Sequence, residues 1–587
     1  MRKTGALIAA AAFMLVPAGA AQASCTVGRL LELPVTLSDG YRPMVAATVN
    51  GIPSRFIADS GAFFSILSPG AAAAAKLRQI PAPPWYRISG LGGTASVSIV
   101  KVKDFGLSGV TFHDVDFIVG GSDTGTTGLL GQNVLGLGDV EYDLPHGMIR
   151  LFRSHDCGSK AMAYWAAAGG FSETSIEPTD ERQRHTFLHV TINGVSLRAL
   201  LDTGAPETIL SLKAAARLGI HPGDPGVRES AGATGLGSKA SRAWSAPFKT
   251  FGIGDEEVRN IRLHIVDSQF LSDTDVILGG DFLISHRIYV DNAAHRLFFT
   301  YAGGTVFARD ATYRGDGSQA SAAAPAAAEK GEPADAEAYS RRGAVALVQR
   351  DFAHAIADFT KAIELAPKNA GFLLQRAEAY LRTGRTALGA ADLNRAVEAE
   401  PGNVPARIQR ARLRAAIAEH DAALADLDAA AHAVVGPLNE RIAIGQAYTG
   451  LEAYDRAVAQ FDLWLAAHPE DARRGEALNG RCWARALWGR ELDRALSDCN
   501  AALKLHKAQP AILDSRGLVH LRLKQYDSAI ADYDEALRQA PKMAWSLYGR
   551  GLARRASGKA AEGDADIRAA LALQPDLGER AHRAGVE

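Results

Sequence analysis

Apolar and polar residues alternate on both sides of two Asn-Gly pairs, in "VAATVNGIPSRFIAD" (residues 45–59) and "LHVTINGVSLRALLD" (188–202). Period-two alternation about Asn-Gly predicts a β-hairpin. In both, the second strand is apolar and ends on an aspartate, Asp59 or Asp202, nine residues after Asn50 or Asn193. Beyond residue 334 the period becomes helical. "YSRRGAVALVQRDFAHAIADFTKAIELAPKN" (339–369) predicts two amphipathic helices with a turn near Arg350-Asp351, and the pattern returns over 373–403. Small residues recur at Gly343, Ala377, Ala411, Gly445, Cys482, Gly517 and Gly551, at intervals of 34, 34, 34, 37, 35 and 34. Between the two regimes, residues 313–334 are rich in Ala, Pro, Gly and Ser without apolar periodicity, which predicts a flexible linker.

The first half is a duplication. Ser65-Ile66-Leu67-Ser68 corresponds to Thr208-Ile209-Leu210-Ser211, each followed by an Ala-rich helical stretch. A Gly-rich loop comes next, "SGLGGT" (89–94) and "TGLGSK" (234–239), starting 30 and 32 residues after the aspartates. Then Leu129-Leu130-Gly131 matches Ile277-Leu278-Gly279, and each copy closes on a strand, "MIRLF" (148–152) and "HRLFFTY" (295–301). Each unit is mostly β and about 120–130 residues long, a size that one core can support. We take the units as residues 27–157 and 183–302.

This set of motifs resembles the retropepsin-like aspartic proteases, over roughly residues 40–302. The resemblance implies an all-β acid-protease barrel pair in one chain, a covalent pseudo-dimer. It implies that Asp59 and Asp202 form a catalytic dyad, one carboxylate acting as base on water and the other, protonated, donating to the substrate carbonyl. In the family the Ser60 and Thr203 hydroxyls bond across the two loops. Gly61 and Gly204 are expected to allow the tight turn that brings the carboxylates together. Leu130-Gly131 and Leu278-Gly279 would pack behind the aspartate loops. Gly90, Leu91, Gly92 and Gly93, with Gly235, Leu236 and Gly237, would form two flaps over the substrate. The copies are not interchangeable: Phe63-Phe64 stands where the second has Pro206-Glu207.

The 34-residue helical period resembles the tetratricopeptide repeat. It implies an all-α solenoid of about seven repeats over residues 335–575, the fifth with a longer turn, binding a peptide or protein partner on its concave face. Dimerisation or simple spacing is the alternative role.

Composition adds a compartment. Arg2 and Lys3, the apolar run Ala6–Val16, Pro17 and Ala21-Gln22-Ala23 read as a secretory signal peptide, residues 1–23. Export to a bacterial periplasm follows, with no transmembrane segment in the mature chain; Cys25 admits lipid anchoring as a lesser reading. The chain has four cysteines. In an exported protein the candidate disulfides are Cys25–Cys157 and Cys482–Cys499, the latter stapling two helices of one repeat; four small buried thiols are the alternative. A net charge of −1 gives no field for nucleic acid. None of the 16 histidines forms a metal-binding cluster, so neither metal nor cofactor is expected, and His185 and His189 read as surface residues on one strand face. The function expected is an exported aspartic endopeptidase acting on polypeptide substrates, with a repeat platform for substrate or regulator. The alternative is a catalytically silent peptide-binding scaffold of the cell envelope.

Overall fold

The computed structural model describes residues 25–587 except 39–40, 84, 122–125, 159, 167–169, 179–183, 234, 236–240, 304–305, 308–332, 334 and 437. The signal-peptide residues, most of the linker, and the flap residues Leu236 and Gly237 therefore lie outside the described residues.

Both Asn-Gly pairs turn a hairpin. Asn50 and Asn193 have φ of 50° and 51°, and the glycines after them 80°. Two successive left-handed residues match the right-handed twist of the flanking strands. In the first lobe, strands Pro43–Val49 and Ile52–Ala58 pair antiparallel, and Ile52–Ala58 then runs parallel to Gly128–Leu130. In the second, Phe187–Ile192 pairs with Val195–Leu201, which runs parallel to Val276–Leu278. Alternate side chains point inward. Phe56, Phe105 and Phe117 pack edge-on and tilted in the first lobe; in the second, Phe251 packs edge-on to Phe307 and tilted to Phe282, and Phe282 stacks with Phe307. Such ring contacts add to the free energy of burial.

The lobes do not close separately. Asp139–Asp143 of the first lobe pairs with Met148–His155 on one side and, across the lobe boundary, with His286–Asp291 of the second. Arg296–Tyr301 and Ser172–Ser175 extend the sheet on one edge, and Thr26–Leu37 extends it on the other. Pairing these two strands across the lobe boundary, each next to its lobe's closing strand, removes edges that would otherwise be exposed. Glu141 is fully buried in this sheet and accepts from Arg150 Nη1 at 2.7 Å and Arg287 Nε at 2.8 Å.

The second half is a helical array. Seven antiparallel helix pairs run from Ala336–Val348 with Phe352–Leu365 to Ala544–Ala556 with Ala560–Leu573, before a short helix, Leu577–Arg583. The recurring small residues sit where the two helices of a pair meet: a Cβ on Gly343 would lie 2.8 Å from the Phe359 ring, and one on Gly517 2.8 Å from Tyr533. The 37-residue interval arises in the connection from Tyr454–Ala467 to Arg474–Trp488, and the fifth repeat is itself longer by one residue between its helices, since Arg481 and Asp498 lie 17 residues apart where the other pairs lie 16. An arginine precedes most of the small residues, and six make bidentate bonds to an aspartate on the second helix of the pair, as Arg376 does to Asp392 at 2.7 and 2.8 Å.

Cys25 is bonded to Cys157 and Cys482 to Cys499. The thiol that lipid anchoring at Cys25 would need is thus engaged. The array packs on the lobes: Val345 of its first helix joins Tyr41 and Ile284 in one apolar cluster. Among the described residues, no helix is long and apolar enough to cross a membrane.

Candidate active site

Asp59 and Asp202 each follow the last residue of an apolar strand and meet at the junction of the lobes. Asp59 N donates to Leu130 O at 2.9 Å and Asp202 N to Leu278 O at 3.0 Å, so the apolar-apolar-Gly strands hold both loops from behind. The glycines after those leucines are required by contact. A Cβ on Gly131 would come 2.7 Å from Ala62 O, and one on Gly279 2.5 Å from the Glu207 carbonyl.

The loops are locked to each other by four buried hydrogen bonds. Ser60 N donates to Thr203 Oγ1 at 3.0 Å and Thr203 N to Ser60 Oγ at 2.9 Å. The hydroxyls then donate onward, Ser60 Oγ to Leu201 O at 2.8 Å and Thr203 Oγ1 to Ala58 O at 2.6 Å. Each hydroxyl thus both accepts and donates, which leaves it no freedom to rotate. Gly61 and Gly204 have a different role from the one expected of them. Neither has a left-handed backbone. A Cβ on Gly61 would instead lie 2.4 Å from Asp202 Cγ, and one on Gly204 2.3 Å from Asp59 Cγ. The opposing carboxylate occupies the space a side chain would need.

The two carboxyls are hydrogen-bonded to each other and half-buried in the cleft between the lobes. Burial, and then the charge of Asp202, hold Asp59 well above the usual carboxylate range. Burial also raises Asp202, but two backbone N–H groups oppose it. Gly204 N and Ala205 N donate to Asp202 Oδ1 at 2.8 and 3.1 Å, whereas Asp59 Oδ1 receives only Gly61 N, at 2.9 Å. The pair titrates as a unit. The second backbone donor favours the negative charge on Asp202 and the shared proton on Asp59.

The first Gly-rich loop is the tip of a hairpin, Arg87–Gly90 with Gly93–Leu107, with Leu91 and Gly92 at the turn and Gly93 at φ 107°. Leu91 reaches into the second lobe. Its side chain packs on Ile209, Ala243, Val266, Leu271 and Ile277, and its carbonyl accepts from Ser241 Oγ at 2.8 Å. Gly235, from the second Gly-rich loop, approaches so closely that a Cβ there would lie 3.0 Å from Leu91 Cβ. On the returning strand, Ser96 N donates to Glu470 Oε2 of the helical array at 2.9 Å.

Two neighbours of the dyad escaped sequence reasoning. Arg42 Nε donates to Gly204 O at 3.0 Å, and His185 Nε2 lies 3.2 Å from Gly61 O. His185 is half-buried against the dyad loop, which corrects its reading as a surface residue; His189 is exposed. A signal existed: each lies 17 residues before its aspartate, and only a side-by-side alignment of the copies exposes it. Among the described residues, no group of His, Cys, Asp and Glu could hold a metal.

Residues 45–134 match the model of the aspartyl protease family, and residues 188–285 that of the gag-polyprotein aspartyl proteases. Residues 336–369 and 510–543 match tetratricopeptide repeat models. No curated protein matches the chain. Similar solved structures include a tetratricopeptide repeat protein from Parabacteroides merdae ATCC 43184, 16% identical, covering 43% of this chain and 98% of that one, with a TM-score of 0.36. The Cut9–Hcn1 structure of the APC/C is 18% identical over 43% of this chain and 50% of that one, with a TM-score of 0.33. The type IV pilus biogenesis factor PilW is 18% identical over 35% of this chain and 94% of that one, with a TM-score of 0.31.

Proposed function

The chain joins two aspartyl protease domains to a tetratricopeptide array, and we propose that it is an exported aspartic endopeptidase whose array recruits a substrate or a regulator. The observation that carries the reading is the dyad: two half-buried carboxyls from two lobes, in contact, with unequal backbone donors. Asp202, ionised, takes a proton from the attacking water. Asp59, protonated, gives its proton to the carbonyl oxygen of the scissile bond. The gem-diol intermediate then collapses: one hydroxyl returns its proton to Asp59 as the carbonyl re-forms, the C–N bond breaks, and Asp202 gives its proton to the departing amine. Closure of flaps over the cleft would exclude bulk water.

Export, with the periplasm as destination, rests on the leader-like residues 1–23 and agrees with two disulfides, which persist in oxidising compartments. A partner-binding role for the array is supported by its repeat type and by its contact with the flap at Ser96.

The test is cleavage of a mixed peptide library between about pH 3 and 7 by the mature chain, Asp59→Asn and Asp202→Asn. Each single variant should lose roughly 10²–10⁴-fold or more, because each removes one proton-transfer partner. A wild type as inert as both variants, with candidate partners present, would replace the protease by a peptide-binding scaffold.

A further inference from the structure

Arg42 and His185 occupy equivalent places in the two copies, and the proton-transfer scheme uses neither. Each reaches across the lobe boundary to the glycine carbonyl of the other lobe's dyad loop. A carbonyl oxygen only accepts, so the His185 imidazole must carry its hydrogen on Nε2. The two bonds are therefore the same contact, made twice about the pseudo-twofold axis.

Their chemistry differs. A guanidinium is charged at every working pH. An imidazole is charged only in acid, and the setting of His185 discourages even that. Its ring lies 5.9 Å from the Phe63 ring and 6.3 Å from that of Phe187, and burial lowers its titration below the ordinary histidine range. Phe63 has no aromatic counterpart in the second copy, where Pro206 stands. The charged and titratable groups around the dyad are few. Arg42 precedes the strand Pro43–Val49, His185 precedes Phe187–Ile192, and the buried Tyr142 comes from the inter-lobe strand Asp139–Asp143. Glu207 and Asp281 stand further out in the second lobe, held by His264 and Thr208.

We propose that Arg42 and His185 are positioning residues which clamp the two dyad loops with matched hydrogen bonds, and that their unlike charge sets the pH range over which the dyad holds a single proton. One permanent cation keeps the pair from holding two protons in mild acid. A second would strip the shared proton too early. The catalytic consequence rests on the protease reading; the titration of the carboxyls does not.

The experiment is a carboxyl ¹³C NMR titration of the full chain, with labelled aspartate, for wild type, His185→Arg, His185→Gln and Arg42→Gln. The pH profile of peptide cleavage is recorded in parallel. His185→Arg should move both apparent dyad pKa values down by about one unit, and Arg42→Gln should move them up by a similar amount. His185→Gln, a neutral donor, should titrate as wild type does. An unmoved dyad in His185→Arg, or an equal displacement in His185→Gln, overturns the proposal, since a purely structural clamp would give either. Displaced titrations with no peptide cleaved by any form would keep the clamp and defeat the protease reading.

Discussion

Replacing Asp281 with asparagine should remove one component of the pH dependence of stability and leave those of Asp59, Asp202 and Asp291 in place. Asp281 is fully buried, and burial is the main cause that raises its pKa from 3.8 to about 7. Its Oδ1 accepts from Thr208 N at 2.8 Å and Thr208 Oγ1 at 2.7 Å. The first lobe makes the same pair of bonds with an amide: Ser65 N and Oγ both donate to Asn133 Oδ1 at 2.8 Å. Asparagine therefore fits the geometry, and only the charge is removed. The folded-state pKa lies above the unfolded one, so the native state binds the proton more tightly. The resulting stability is complete below about pH 4 and is lost as pH rises through about 7. A displacement of about three units corresponds to at most about 4 kcal/mol. Asp281→Asn should match wild type near pH 4 and exceed it progressively up to pH 8. Urea midpoints across this range measure the difference between the two chains. Asp514, buried in the array and also raised to about 7, contributes a slope to both chains that cancels. Parallel pH curves, or a variant weaker than wild type at pH 8, would refute the reasoning.

Glu470→Ala removes the acceptor of Ser96 N and should free the first flap. The bond is exposed and screened by salt, so the gain in peptide cleavage should be about 2–5-fold, with faster amide exchange over residues 87–100. Unchanged exchange there would show that the contact does not restrain the flap. Arg376→Met should cost about 2–3 kcal/mol, because it leaves Asp392, whose side chain is 4% exposed, with only the longer contact to Arg395 at 3.6 Å. Adding Asp392→Leu should recover most of that loss in thermal unfolding, and a double variant no more stable than the single one would count against a buried-charge cost.

The two hairpins, the two aspartates and the helical period could be read from the chain because each is a local pattern: a turn dipeptide, an alternation, a 34-residue interval. Duplication amplified them, since a match between Asp59 and Asp202 is visible without coordinates. The arginines of the array, one residue before most of the small positions, are as regular, but they are polar and so carry no part of the apolar period. What passes between lobes was not legible. Pairing of Asp139–Asp143 with His286–Asp291, the reach of Leu91 into the other lobe and the bond from Ser96 to Glu470 join residues more than a hundred positions apart. Strand edges and polar groups carry no local mark of their distant partner. The same holds for the two glycines of the dyad loops. Their presence was plain, but the reason, a carboxylate from the other lobe where a Cβ would sit, exists only once the lobes meet. The inequality of the two aspartates has the same origin. Asp-Ser-Gly and Asp-Thr-Gly are near-identical in the chain. Only the packed loops decide that Asp202 receives two backbone donors and Asp59 one, and so where the proton rests.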